Sequence, residues 1–376
     1  MRRSVFVGLS LLLLTGFSPP KPYQTQELKG EMTAFYSSIA NILPLYLNPF
    51  RFYEAKNRPV VEKHLKSLHD HSVQVKSLLA KSDEEHRVLS VSLEESAALA
   101  LKSYQRGNRG QTSYFMGEIL DTCLSCHTSR ESEKDSPFNI ARNVNMEALD
   151  PFGRAKLLTV SRQFDEAMKE YEDLILKRNL ILSDIIHFDP FLNYLVIGVR
   201  VKPDLNRVLK TLEQANKRPV PTSVKADIKV WIKSIQDIKG NKSLKQGDLL
   251  AQAQRLMDAG KNLMEYPRDQ SGSIYYLEAS RRLKDFINLK GTKAKDKATA
   301  YFLMGKAEMV LGRPFLGLEA RRYFATTIDL APKSNIAQQA FRLYEESVMF
   351  GYTGSSGLHL PEDEAERLEA LRKKAY

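Results

Sequence analysis

With only two cysteines among 376 residues, the chain cannot build the disulfide framework that small secreted domains depend on. A zinc knuckle is excluded as well, because it needs two further ligands at knuckle spacing and there is no second cysteine pair. No apolar run reaches the roughly 20 residues that cross a bilayer. The richest late stretch, Tyr194 to Val201, is interrupted by Arg200. A glycine-rich phosphate loop, a G-x-S-x-G elbow and an H-E-x-x-H pair are all missing, which removes the common nucleotide, serine-hydrolase and zincin chemistries. Basic charge without interleaved aromatic platforms gives no nucleic-acid interface.

What is present is globular: 43% hydrophobic and 27% charged residues. The length predicts two or three structural units. Charge is uneven, with 15 Lys and Arg against 15 Asp and Glu in residues 21–135, and 39 against 30 in residues 136–376. The surplus is spread along the C-terminal part, so solubility explains it more simply than an acidic partner or an anionic surface.

Residues 1–20 open with Arg2 and Arg3, continue through an apolar run from Val5 to Leu14, and end in small residues and proline. That is the order of a secretory signal peptide, too short to be a membrane span. A periplasmic location is expected, with no transmembrane span in the mature chain.

Both cysteines fall in Cys123-Leu124-Ser125-Cys126-His127, the C-x-x-C-H pattern of c-type haem attachment. Two thiols must add to the two vinyl groups of one porphyrin, and an imidazole must reach the iron. On a helix, Cys123 and Cys126 lie roughly 60° apart and His127 about 40° beyond Cys123, so one face offers all three. A thioredoxin-type redox pair belongs in a βαβ unit, whereas the surroundings read as helix. A disulfide across three residues closes too small a loop to stabilise much. One covalent haem c is therefore expected, held by Cys123 and Cys126 with His127 on the iron.

Around the motif the periodicity is helical. Leu28, Met32, Phe35, Ile39 and Ile42 form one face from Gln24 to Leu45; Val61, Leu65, Leu68, Val75 and Leu79 form a second. Ser82-Asp83 caps a third helix that runs to Tyr104, and a fourth begins near Gln111 and carries Tyr114, Phe115 and Ile119 into Cys123. Four such helices with short loops predict an antiparallel four-helix bundle. Residues 24–131, with C-x-x-C-H near the end of the last helix, resemble the cytochrome c prime family.

The resemblance implies thioether links at Cys123 and Cys126, proximal ligation by His127, and a distal side built from the first helix. Leu28 and Met32 both lie on that helix face. An apolar distal residue such as Leu28 implies five-coordinate iron that binds small gases; Met32 as distal ligand implies six-coordinate iron for electron transfer. His64, His69, His71 and His86 are alternative ligands on the middle helices. Family members commonly carry a basic residue four places after the histidine; here that place is Glu131, with Arg130 one residue early. Many relatives dimerise, which leaves a homodimer open.

Residues 132–149 are polar and without period, and are expected to be a linker. From residue 150 to 376 the pattern becomes serial helix pairs. Ala155, Phe164, Ala167 and Tyr171 fall where a tetratricopeptide repeat packs small residues against aromatic ones, and Ala300–Gly305 with Ala320–Phe324 resembles a second copy. Further helices are expected over Asp204–Ala215, Ser223–Ile238, Leu244–Tyr266, Ser273–Leu289, Asn335–Phe350 and Glu362–Lys374. Ile185–Val201 has mixed spacing and reads as a packed connector or a docking patch. Stacked pairs predict an α-solenoid of TPR-like helices. The whole chain reads as all-α: an exported electron carrier whose repeats dock a redox protein or an envelope protein, and not an enzyme. A haem sensor of NO or CO, or an envelope scaffold with a structural haem, are the rival readings.

Overall fold

The computed structural model describes residues 26–127, 146–266, 269–312, 318–354 and 357–376. The expected signal peptide, residues 1–20, and residues 132–145 of the expected linker lie outside the described residues. The described chain is all-α apart from a two-residue antiparallel ladder, Thr353 with Leu358 and Gly354 with Gly357.

The first four long helices are α1 (Gln26–Tyr46), α2 (Arg58–Leu79), α3 (Glu84–Gln105) and α4 (Arg109–His127). Each begins or ends for a local reason. Pro59 occupies the first turn of α2, where a missing N–H costs nothing. The Asp83 carboxylate accepts from the His86 N–H at 3.2 Å and caps α3, as its sequence predicts. Gly107 adopts φ 73°, a conformation that suits glycine, and turns the chain into α4. Neighbours in sequence pack along their lengths: α1 on α2, α2 on α3, α3 on α4. Phe35, Ile39, Ile42, Leu65, Leu93, Met116 and Ile119 form their shared core, which Leu149, Leu157 and Val160 complete from further along the chain.

Beyond residue 146 the helices are α5 (Pro151–Val160), α6 (Phe164–Lys177), α7 (Leu182–Phe188), α8 (Pro190–Leu195), α9 (Leu205–Ala215) and α10 (Thr222–Gly240). They continue as α11 (Leu249–Lys261), α12 (Ser273–Ile287), α13 (Ala294–Leu311), α14 (Leu318–Leu330), α15 (Asn335–Tyr352) and α16 (Glu362–Ala375). Asp150, Asp204, Asp248 and Ser334 cap α5, α9, α11 and α15 through side-chain bonds to backbone N–H groups. Close packing joins α5 to α6, α11 to α12, α13 to α14 and α14 to α15.

One expectation changes and one is narrowed. The helix expected over Leu244–Tyr266 is divided: a 3-10 turn spans Lys242–Lys245, Gly247 takes φ 74°, and α11 starts only after the Asp248 cap. Ile185–Val201 is a packed connector. Asp189 at φ 40° joins α7 to α8, and a π-helical turn, Val196–Val201, follows. Its wider period explains the mixed spacing, and Phe191, Tyr194, Ile197, Val199 and Val201 are all buried.

The N-terminal helices and the rest are cross-tied. α14 packs on α3, and α5 touches both α1 and α4. Glu95 of α3 pairs with Arg322 of α14 and, at 2.8 Å, with Arg367 of α16. Val88 of α3 and Leu124 of α4 belong to the C-terminal core.

Candidate functional site

The motif sits where sequence reasoning puts it, in the closing turn of α4. Cys123 is buried, Cys126 and His127 are half-buried, and the two sulfurs are not joined. Cys123 and His127 line one cavity together with Leu120 of α4, Met32, Phe35, Tyr36 and Ile39 of α1, and Val160 of α5. The cavity marks the seam between α1 and α4.

One end of this seam is fixed by hydrogen bonds. Tyr46 at the end of α1 donates to the Ser113 carbonyl of α4 at 3.0 Å, and just beyond it Tyr53 donates to the Arg109 carbonyl at 2.9 Å. From the Tyr46–Ser113 bond the antiparallel helices climb in step. Seven residues lead to Ile39 and Leu120, ten to Tyr36 and Cys123, fourteen to Met32 and His127. At 1.5 Å rise per residue, equal counts place these pairs at equal heights. Met32 therefore stands at the level of His127. Leu28 lies a turn higher and does not line the cavity.

The donor set suits a c-type haem: a thiol, an imidazole and a thioether on facing helices in an aromatic and aliphatic lining, with the second motif thiol, Cys126, on the same turn but outside the lining. Space is what the seam lacks. Its free interior is about 20 Å³, so a porphyrin would need the lining side chains to make way for it. Burial, with the Asp121 charge adding to it and Lys156 opposing, pushes the Cys123 thiol up to about 12. Thiolate is scarce there while the seam stays shut.

The far side of the same turn is held by the C-terminal helices. Lys284 of α12 donates to the Ser125 carbonyl at 3.5 Å, and Leu124 packs into the C-terminal core. Lys156 of α5 pairs with Asp121 at 2.9 Å.

The alternative histidines stay away from the cavity. His71 meets Glu31 at 2.7 Å, His86 meets Asp83 at 2.8 Å, and His69 stands 3.9 Å from Glu94; none of them, nor His64, lines the seam. Among the described residues, no three His, Cys, Asp or Glu side chains converge to hold a metal ion by themselves, and no helix is long and apolar enough to cross a membrane.

Sequence reasoning missed Tyr36, Leu120 and Val160 as lining residues, and Lys284 behind the motif. Phe35 and Ile39, on the apolar face of α1, line the cavity too. Tyr36 falls one position off the apolar stripe, and Val160 and Lys284 arrive through tertiary packing that no local pattern encodes. Compared with family models, curated proteins and solved structures, the chain has no match.

Proposed function

We propose that the chain is an exported monohaem c-type cytochrome that carries electrons, with a cytochrome c prime-like four-helix bundle (α1–α4) and a TPR-like solenoid (α5–α16) that docks a redox partner. The observation that carries this reading is the seam itself, where Cys123, His127 and Met32 line one cavity and Met32 of α1 stands level with His127 of α4. A haem held there would supply one-electron redox chemistry. The chain's residues do the rest. Cys123 and Cys126 would anchor the haem, and His127 would supply a nitrogen and Met32 a sulfur to the iron, a sulfur ligand being one that raises potential and closes the iron to added gases. Phe35, Ile39, Leu120 and Val160 exclude water. Export to the periplasm, by the signal-like residues 1–20, belongs to the same reading, since haem is attached on that side of the membrane.

The test is spectroscopic. Protein made in cells that mature c-type haem should carry covalent pigment and give a ferrous spectrum indifferent to CO, and Met32→Leu should make it CO-sensitive. The double substitution Cys123→Ala, Cys126→Ala should be colourless. A natively matured chain whose mass is that of polypeptide alone would end the haem reading, and a wild-type ferrous form that binds CO would shift it to the gas-binding alternative.

A further inference from the structure

A buried charged cluster lies immediately behind the Cys123–His127 turn, on the side of α4 away from the seam. Arg200 of the π-helical turn pairs with Glu308 of α13 at 2.7 Å, their side chains 7% and 11% exposed. Lys284 of α12, bonded to the Ser125 carbonyl, stands 4.0 Å from Glu85 of α3. Glu319 of α14 accepts from the Tyr323 hydroxyl at 3.1 Å and from Ser125, within the fields of Glu308, Arg200 and Lys284.

Two cations thus face three carboxylates. An interior cannot carry that excess negative charge cheaply, and taking up one proton relieves it. A second observation points the same way. Glu85 is 2% exposed and is held by Lys284 at 4.0 Å, by His86 and by Asn288, while the buried Tyr301 hydroxyl nearby has no hydrogen-bonding partner among the described residues. Buried polar atoms are nearly always satisfied, so that hydroxyl marks an interior whose polar groups are not fully matched. Burial first, and then the charge of Glu308, push Glu319 up to about 7, against Arg200, Lys284 and the Ser125 bond. Burial and Arg200 hold Lys284 below the ordinary lysine range. Glu319 as a residue is only partly buried, which sets it at the solvent edge of the cluster.

We propose that this cluster is a proton-binding site linked to the haem: Glu319 takes one proton from solvent as one electron arrives from the redox partner, and releases it on reoxidation. The only bond made is the O–H of the carboxyl group, and the electron and proton together leave the charge of the interior unchanged. This rests on the cytochrome reading above. The coupling is short-ranged because Ser125, which both Lys284 and Glu319 grip, is next to Cys126 and two residues from His127.

The experiment follows the midpoint potential of the matured protein over roughly two pH units either side of neutrality, with reduced-minus-oxidised infrared spectra at each step. The potential should fall as pH rises, by up to about 59 mV per unit for one proton and one electron. A protonated-carboxyl band should appear on reduction. Glu319→Gln should level the potential at its low-pH value and remove the band. Tyr323→Phe, which withdraws a donor from the carboxylate, should move the sloping window to higher pH, and it serves if the Gln variant does not fold. A flat wild-type profile, or a slope that survives in Glu319→Gln, overturns the proposal. A chain with no haem is a separate failure, that of the cytochrome reading, and infrared titration of Glu319 in such a chain still decides whether the cluster binds a proton near neutrality.

Discussion

Arg200 and Glu308 meet at 2.7 Å across 108 residues of sequence, and both are almost withdrawn from water. A pair so placed contributes little net stability, but Glu308 without Arg200 is an uncompensated interior charge beside Glu319. Arg200→Ala should therefore cost about 3–5 kcal/mol, whereas replacing both residues by apolar ones of similar volume should cost far less. Urea denaturation of the two variants checks this. Equal losses in both would mean that the pair stabilises by attraction.

The two cysteines should differ in reactivity before any haem is attached. Cys123 is buried with its thiol held up to about 12, while Cys126 keeps partial access. Reactivity follows thiolate fraction and exposure. Iodoacetamide on folded, haem-free protein should modify Cys126 well ahead of Cys123, and mild urea should remove the difference as the seam opens. Peptide mass mapping reads the order, and faster labelling at Cys123 would contradict a closed seam.

Stability should depend on pH through Asp189. Burial, reinforced by Asp121 and opposed by the Leu192 N–H and Lys156, pushes this carboxyl up to about 6. An unfolded aspartate titrates near 3.9, so the folded chain holds the proton more tightly. The stabilisation is present below about pH 4 and is lost as pH rises toward about 6. Asp189→Asn keeps an acceptor for the Leu192 N–H, bonded at 3.0 Å, and tolerates the left-handed backbone. It should flatten the fall of Tm across that window, and an unchanged fall would assign the effect elsewhere.

Gly305 is where α13 lies against the ring of Phe324 on α14. A β-carbon there would stand 2.6 Å from Phe324 Cε1. Gly305→Ala should destabilise by about 1–3 kcal/mol despite the better helix propensity of alanine. A stabilised variant, judged by thermal unfolding, would show that α13 and α14 separate readily.

Much of this was written in local pattern. The faces of α1 and α2, the Asp83 cap and the C-x-x-C-H turn need only neighbours three or four residues away, and the chain declares them. Met32 was legible as a residue on the face of α1 that lines the seam. Its advantage over Leu28 came only from the Tyr46–Ser113 bond that sets the register of α1 against α4. Val160, Lys284 and Glu319 were illegible because they reach the motif from α5, α12 and α14, and nothing in their own segments distinguishes them from ordinary packing residues. Where the backbone leaves the 3.6 period, at Gly247 and in the π-helical turn, pattern reading failed for the same physical reason: it assumes a constant twist.

The carboxylate of Glu95 ties the helix just before the motif helix to both Arg322 of α14 and Arg367 of α16. One carboxylate thus holds two helices that lie far apart in sequence to a single point of α3, so a change at Glu95 is felt by three helices at once.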